Sequence, residues 1–554
     1  MGIAASMGFV FAKATPPSTF TAHSGTQVSK WVPGEAYVRG EEVISPSNDV
    51  VAAKVAHTSS KAYSSDTQKW ALLSTYSHRD PLVWNVLDYG MTTRADVSSP
   101  LSSLITSVSA AGGGVVFIPA GTFYAADVPL AANVTLQMGP RAVLRLPNGS
   151  TADAILTIPT GADNITVTGG TLDGNRATYA GASGRGIHGY LTTATGVTIR
   201  GVNFVNFSES GIYLTNGISK VTVTECAFTS MGLHAVISYG GAEVEISRNR
   251  VDRTGDPIAA NTTSIQFYVY AAATVTGPRI IGNHITGAEG TGEENAFIGI
   301  SWDVQPGGHC EGGVISGNKI RQGSMGISQA GVTNSSVVGN TIKAMDYAGI
   351  EVAGSTGVSV TGNVIDGKGL GCGIMVNPTG GCAHLAIIGN SIANWGDNYQ
   401  WGGIYVNEMT GGTIANNTLT GKYTKGESIY LMNVVDSTIS RNVVRTTSAN
   451  VAVHLIAGSV NCDGNVIIGN VLDVADSAWS NGHVLLQANT GRKISRTMIL
   501  GNTITTSPEH GYGIALHGTD PASIVGTVVG KNRFRGFSDN LHETNTTGTV
   551  NLSP

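Results

Sequence analysis

The sequence predicts an all-β solenoid, a parallel β-helix, and two columns of recurring residues carry that prediction. The first is an Asn followed by one variable and one apolar residue. It stands at Asn249, Asn283, Asn318, Asn340, Asn363, Asn390, Asn417, Asn442, Asn470, Asn502 and Asn532, at spacings of 22 to 35 residues. The second lies between these positions and reads small–apolar–variable–apolar, as in Gly211-Ile212-Tyr213-Leu214, Gly349-Ile350-Glu351-Val352 and Gly403-Ile404-Tyr405-Val406. A fixed motif with filler of irregular length is what coils with the same strands and different turns produce.

Alternation along a strand sends successive side chains to opposite faces. Ile212, Ile265, Ile300, Ile327, Ile350, Ile374, Ile404, Ile429 and Ile514 are therefore expected to point inward, with the variable residue beside each pointing out. A third apolar segment, such as Val221-Thr222-Val223 or Val358-Ser359-Val360, precedes most of the Asn positions. Three short strands per coil, rich in Val, Ile and Thr, describe a β-helix. Helical periodicity is absent from these residues, and Gly is too frequent for helical repeats. The Asn column is read as structural. Asn tolerates a tight bend, and its amide can bond to the Asn in the coil above and below.

Composition narrows the function classes. Of 554 residues 74 are Gly and only 12% are charged, which suits a solenoid held by apolar ladders and backbone pairing. A net charge of −5 argues against nucleic acid as the main partner. No apolar run approaches the roughly 20 residues of a membrane helix, so no membrane insertion is expected. The five cysteines, Cys226, Cys310, Cys372, Cys382 and Cys462, fit neither a zinc site nor a compact disulfide framework. Cys372 and Cys382 could pair within one coil, but buried free thiols are the preferred reading. Nothing resembles a nucleophile triad or a phosphate-binding loop, and no cofactor or metal is expected.

In chain order, residues 1–24 form an N-terminal arm; Met1 to Ala14 lacks the basic start of a secretory signal. Residues 25–80 alternate apolar and polar positions between Pro-Gly and Arg-Gly turns, a small β module. Its Trp31, Tyr37 and Trp70 loosely resemble the chitin-binding-type modules, which would make them sugar-binding; in so small a unit the preferred reading is that they form its core. Residues 81–125 contain Leu101, Leu104, Ile105 and Val108 at helical spacing, expected as a short helix covering the open end of the solenoid. Residues 126–537 are the β-helix, and 538–554 a C-terminal tail.

The run from Asn85-Val86-Leu87-Asp88-Tyr89-Gly90, through the helix, to Gly112-Gly113-Gly114-Val115-Val116-Phe117-Ile118-Pro119 resembles the opening segment of the pectate-lyase-like superfamily. Gly170-Thr171-Leu172-Asp173-Gly174-Asn175 resembles its early coil. That superfamily of right-handed parallel β-helices includes polygalacturonases and phage tailspikes. The resemblance sets fold and not chemistry. Where polygalacturonases carry paired aspartates and a Gly-His-Gly, this chain reads Ser208-Glu209-Ser210, Gly232-Leu233-His234 and Thr262-Thr263-Ser264, so polygalacturonase activity is rejected.

Long turns leaving one edge of successive coils are expected to wall a groove over the outward face of the small–apolar strand. Trp395, Tyr399, Trp401, Tyr405 and Tyr430 are the candidate glycan-binding residues, since flat rings match the apolar faces of sugars. The alternative is that Trp395 and Trp401 pack their own loop. Glycoside hydrolysis needs two carboxyl groups. Asp303, paired with Glu294 or with Glu351 two coils on, is the candidate catalytic pair. The leading reading is a phage tail protein of tailspike or minor-tail type that binds, and through these acids cleaves, a cell-surface polysaccharide. Resemblance to tailspikes implies a homotrimer in the virion tail, with other tail proteins held by the N-terminal region. A secreted glycoside hydrolase or polysaccharide lyase, and a non-catalytic adhesive β-helix, are the alternatives.

Overall fold

The computed structural model describes residues 19–21, 27–39, 41–46, 50–74, 83–215, 217–253, 262–271, 273–287, 297–367, 371–377, 381–395, 402–422, 427–447, 451–475, 482–507 and 511–552. The chain divides into two units, Met1–Asn85 and Val86–Pro554.

In the first unit the strands Thr19–Thr21, Gln27–Lys30, Glu42–Ile44, Val50–Ala53 and Trp70–Ser74 form one sheet in that order. Tyr37, Val43, Val51, Ala53 and Trp70 are buried together, with Trp31 and Tyr63 packed against them. Tyr37 and Trp70 are 3% and 4% exposed, so these rings build the core of the unit and offer no open face to a sugar.

The second unit stacks three parallel strands per coil. The first stack precedes each Asn and runs from Gly114–Ile118 to Val550–Leu552. The second follows the Asn, and the third is the small–apolar strand. In the third stack the inward position steps in register through Ile265, Ile300, Ile327, Ile350, Ile374, Ile404 and Ile429. All are fully buried. Each such Ile contributes about 1.5–3 kcal/mol by leaving water. Parallel pairing continues through Asp539–Thr544 and Val550–Leu552, so the stacks run past residue 537 into the segment expected as a tail.

The Asn column forms one continuous ladder. Each Nδ2 from Asn249 to Asn502 donates to the next Asn Oδ1 at 2.9–3.0 Å. Its second hydrogen goes to a carbonyl of the preceding coil, as from Asn340 to Ile315 at 3.0 Å. Each Oδ1 also accepts the backbone N–H of the previous Asn, as Asn363 does from Asn340 at 2.9 Å. Both side-chain hydrogens and both carbonyl lone pairs are thus used, which is what permits an amide to be buried. The left-handed backbone position is not the Asn, as the sequence reading had it, but the residue before it: Gly282 (φ 65°), Gly317 (62°) and Gly339 (64°) among them. A Cβ raises the energy of that conformation, which explains why Gly so often precedes the Asn.

The helix α1 (Ser98–Ala110) buries Leu101, Leu104, Ile105 and Val108, the apolar set its spacing predicted. All five cysteines are buried free thiols. Burial pushes the Cys226 and Cys310 thiols up to about 12, so they are inert at neutral pH.

Candidate functional site

The outward positions of the third stack form one continuous face along the helix axis. Beside the inward Ile column, Gln266, Ser301, Ser328, Glu351, Met375, Tyr405, Tyr430 and His454 follow one another coil by coil. Two residues further along each strand a second outward column carries Tyr268, Asp303, Ala330, Ala353 and Asn377.

Before Asp303 the face is aromatic. His188, Tyr190, Tyr213, Tyr239, Tyr268 and Tyr270 are joined in one chain of ring contacts with centroids 5.1–5.6 Å apart. Tyr239 and Tyr270 are stacked, with an interplanar angle of 10°. Tyr190 and Tyr270 are 55% and 43% exposed, a high value for rings that already pack on neighbours. At one end the Arg185 guanidinium lies 4.4 Å above the Tyr213 ring and is fixed by both Glu209 carboxylate oxygens, at 2.8 and 2.6 Å. His188 is buried beside Arg185, and both effects, burial first, lower its pKa to about 4. At the other end Tyr268 pairs in register with Asp303.

This strip was not singled out from the sequence, although a signal existed. Tyr190, Tyr213, Tyr239 and Tyr268 recur at 23, 26 and 29 residues, the period of the Asn ladder, at variable positions beside the apolar column.

The two described candidate acids occupy different environments. Asp303 is half-buried, and that burial raises its carboxyl pKa above the usual range. Glu351 is 8% exposed and accepts hydrogen bonds from Ser328 Oγ at 2.8 Å and Asn377 Nδ2 at 3.2 Å. The register Asp303–Ala330–Ala353 places Glu351 two coils and two residues away from Asp303. With about 4.8 Å per coil and 3.3 Å per residue, the two backbone positions lie about 12 Å apart. Glu294 lies outside the described residues, as do Tyr399 and Trp401.

Further along, Tyr405 and Tyr430 stack at 5.3 Å and 9°, both half-buried. Tyr430 meets His454 edge-on, and His454 Nδ1 lies 2.8 Å from both oxygens of Glu427. Trp395, expected among the glycan-binding residues, is fully buried. A Cβ on Gly349 or Gly367 would meet its ring at 3.4 and 2.6 Å, which places the indole inside the coil. That corrects the expectation. A large apolar ring at a coil corner gains more by filling the interior than by facing water.

Among the described residues no group of three or more His, Cys, Asp or Glu could hold a metal ion. Among the same residues no helix is long and apolar enough to cross a membrane.

Comparison with known proteins gives two family matches. The family described as right-handed beta helix region matches residues 158–299, and the family described as periplasmic copper-binding protein (NosD) matches residues 254–399 and 309–502. No curated protein matches. Among solved structures, a tailspike protein of E. coli bacteriophage HK620 in complex with a pentasaccharide is 12% identical, with a TM-score of 0.41 over 84% of this chain and 80% of that one. The Azotobacter vinelandii mannuronan C-5 epimerase AlgE4 A-module is 17% identical, with a TM-score of 0.25 over 84% of this chain and all of that one. PfbA, a surface adhesin of Streptococcus pneumoniae, is 15% identical, with a TM-score of 0.35 over 80% and 92%. The in-register stacks and the beta-helix family match together give this chain the fold of a right-handed parallel β-helix.

Proposed function

We propose that this chain binds a cell-surface polysaccharide along the outward face of its third stack, as part of a phage tail. One observation carries the reading: five tyrosines on four successive coils form, with His188, a continuous, partly exposed aromatic face that ends at a half-buried acid. Tyrosine rings give sugars an apolar floor and their hydroxyls give them hydrogen-bond partners, at little cost in side-chain entropy. The stacked pair Tyr405–Tyr430 extends the same floor beyond Glu351.

Cleavage of the bound chain is the second part of the proposal. Asp303, whose burial favours the protonated form, acts as general acid, and Glu351, held by Ser328 and Asn377, as general base. Backbone positions about 12 Å apart are nearer to the carboxyl separation of inversion, about 6.5–9.5 Å, than to the about 5 Å of retention, and reach it only with the two side chains leaning toward each other. The same width also favours a non-catalytic adhesive role, and the experiment below separates the two. In the tail setting the N-terminal unit attaches to other tail proteins, and a homotrimer presents three faces whose combined avidity exceeds that of one.

The test incubates the protein with a panel of capsular and cell-wall polysaccharides and follows chain length by size-exclusion chromatography. Shortened chains that persist at full length with Asp303→Asn establish an enzyme with this acid. Binding without shortening leaves the adhesive role. No binding by any polysaccharide removes the proposal.

A further inference from the structure

We infer that the polysaccharide this face takes carries no acidic groups. The inference rests on the glycan reading above and fixes its chemical class. Across four steps between coils, from His188 to Asp303, the aromatic strip is about 19 Å long, room for a short oligosaccharide. Over that length the described cations are already spent. Arg185 gives Nε and one terminal nitrogen to Glu209 and lays its face on Tyr213. Arg253, 1% exposed, donates to the carbonyls of Leu233 and Met231 at 2.6 and 2.9 Å. His188 and His234 are held neutral at pH 7, burial lowering each to about 4.

A uronate or phosphate on each repeat unit would therefore lose its water along the strip without meeting a free counter-charge, a cost of several kcal/mol per group. Hydroxyl and N-acyl groups lose nothing comparable. They can pair with phenol hydroxyls while ring faces cover their C–H surfaces.

An array of immobilised neutral, N-acetylated and uronic-acid oligosaccharides tests this, read at low and at high salt with the wild type and with Tyr239→Ala. The expected result is binding to neutral or N-acetylated glycans and none to uronic-acid glycans, with the neutral binding changed less than twofold by salt and lost in Tyr239→Ala. A uronate glycan bound by the wild type and lost in Tyr239→Ala overturns the inference while leaving the face a glycan site. Binding to no class, or binding indifferent to Tyr239→Ala, overturns the glycan reading and this inference with it. Glu209→Gln supplies a positive arm. Releasing Arg185 is expected to raise uronate binding at least tenfold at low salt, in a variant whose unchanged far-UV spectrum shows that it is folded. No gain would mean that the Arg185–Glu209 pair does not set the charge preference.

Discussion

Replacing Asn340 with Ala removes four hydrogen bonds at the middle of the Asn ladder. The Asn318 backbone N–H loses the Oδ1 it donates to at 2.9 Å. Asn318 Nδ2, Ile315 O and Asn363 Oδ1 each lose one bond, at 3.0, 3.0 and 2.9 Å. Asn340 is fully buried, so water does not replace them freely. The orphaned N–H costs about 1–3 kcal/mol and each of the other three losses about 1 kcal/mol, roughly 4–6 kcal/mol in all. The measurement is a chemical denaturation series followed by circular dichroism, with Asn532→Ala as comparison. Asn532 is 7% exposed and makes three of the same four bonds, accepting from the Asn502 backbone N–H and Nδ2 and donating to Ile499 O, so by the same reckoning its loss is expected to cost about 1 kcal/mol less. Coils of a solenoid can unfold in stages, so the comparison uses the midpoint of the main transition in each variant. Asn340→Asp keeps the acceptor oxygen but turns a second oxygen toward Ile315 O and Asn363 Oδ1, and is expected to cost at least as much as Ala. An Asn340→Ala variant within about 0.5 kcal/mol of the wild type, the range of a surface exchange, would refute the ladder as a source of stability.

Other outcomes follow from the same structure. Trp395→Ala is expected to destabilise by about 3–5 kcal/mol, the cost of emptying a buried indole site, and to leave glycan affinity unchanged; a loss of affinity at equal folding would return Trp395 to the binding face. Asp303→Asn is expected to raise the melting temperature at pH 7 and to lose that advantage in acid. A carboxyl whose folded pKa is raised by burial penalises folding only above its unfolded pKa, and the penalty grows until pH passes the folded value. His188 and His234 act in the opposite sense. Each is lowered to about 4 by burial, so stability is full above about pH 6.5 and falls as pH drops toward 4, by up to about 1.4 kcal/mol per pH unit for each group. Urea midpoints of His234→Gln and wild type across that window check it, the variant showing the shallower decline. Tyr239→Ala is expected to weaken glycan binding at least tenfold, since it removes the ring that touches Tyr213, Tyr268 and Tyr270 together.

The repeat was legible because the ladder and the inward column impose the same residue type at the same place in every coil. Asn363 and Ile374 have no freedom to be anything else without orphaning a neighbour or opening a void, so the text repeats. The capping helix was legible for the same reason, its four buried apolar residues answering to one face. The site was harder to read. Outward positions are free to vary, so Tyr213, Gln266, Ser301 and Glu351 look unrelated until the register aligns them. Aromatic density in the sequence pointed to the coils around Trp395 and Tyr430 and passed over a strip with one or two tyrosines per coil, most of whose members lie far apart in sequence and adjacent in space. Trp395 misled because a Trp beside a long turn reads alike whether it faces the groove or the interior. Only the Gly349 and Gly367 backbones beneath its ring distinguish the two.

The central claim is a place: a glycan lying along the third stack over the tyrosine strip. The most direct measurement is a crystal structure of the protein with an oligosaccharide that the array identifies. The account predicts sugar rings stacked over Tyr213, Tyr239 and Tyr268, with the chain running along the helix axis toward Asp303. Sugar bound on the first or second stack, or on the N-terminal unit, with the tyrosine strip bare, would contradict it.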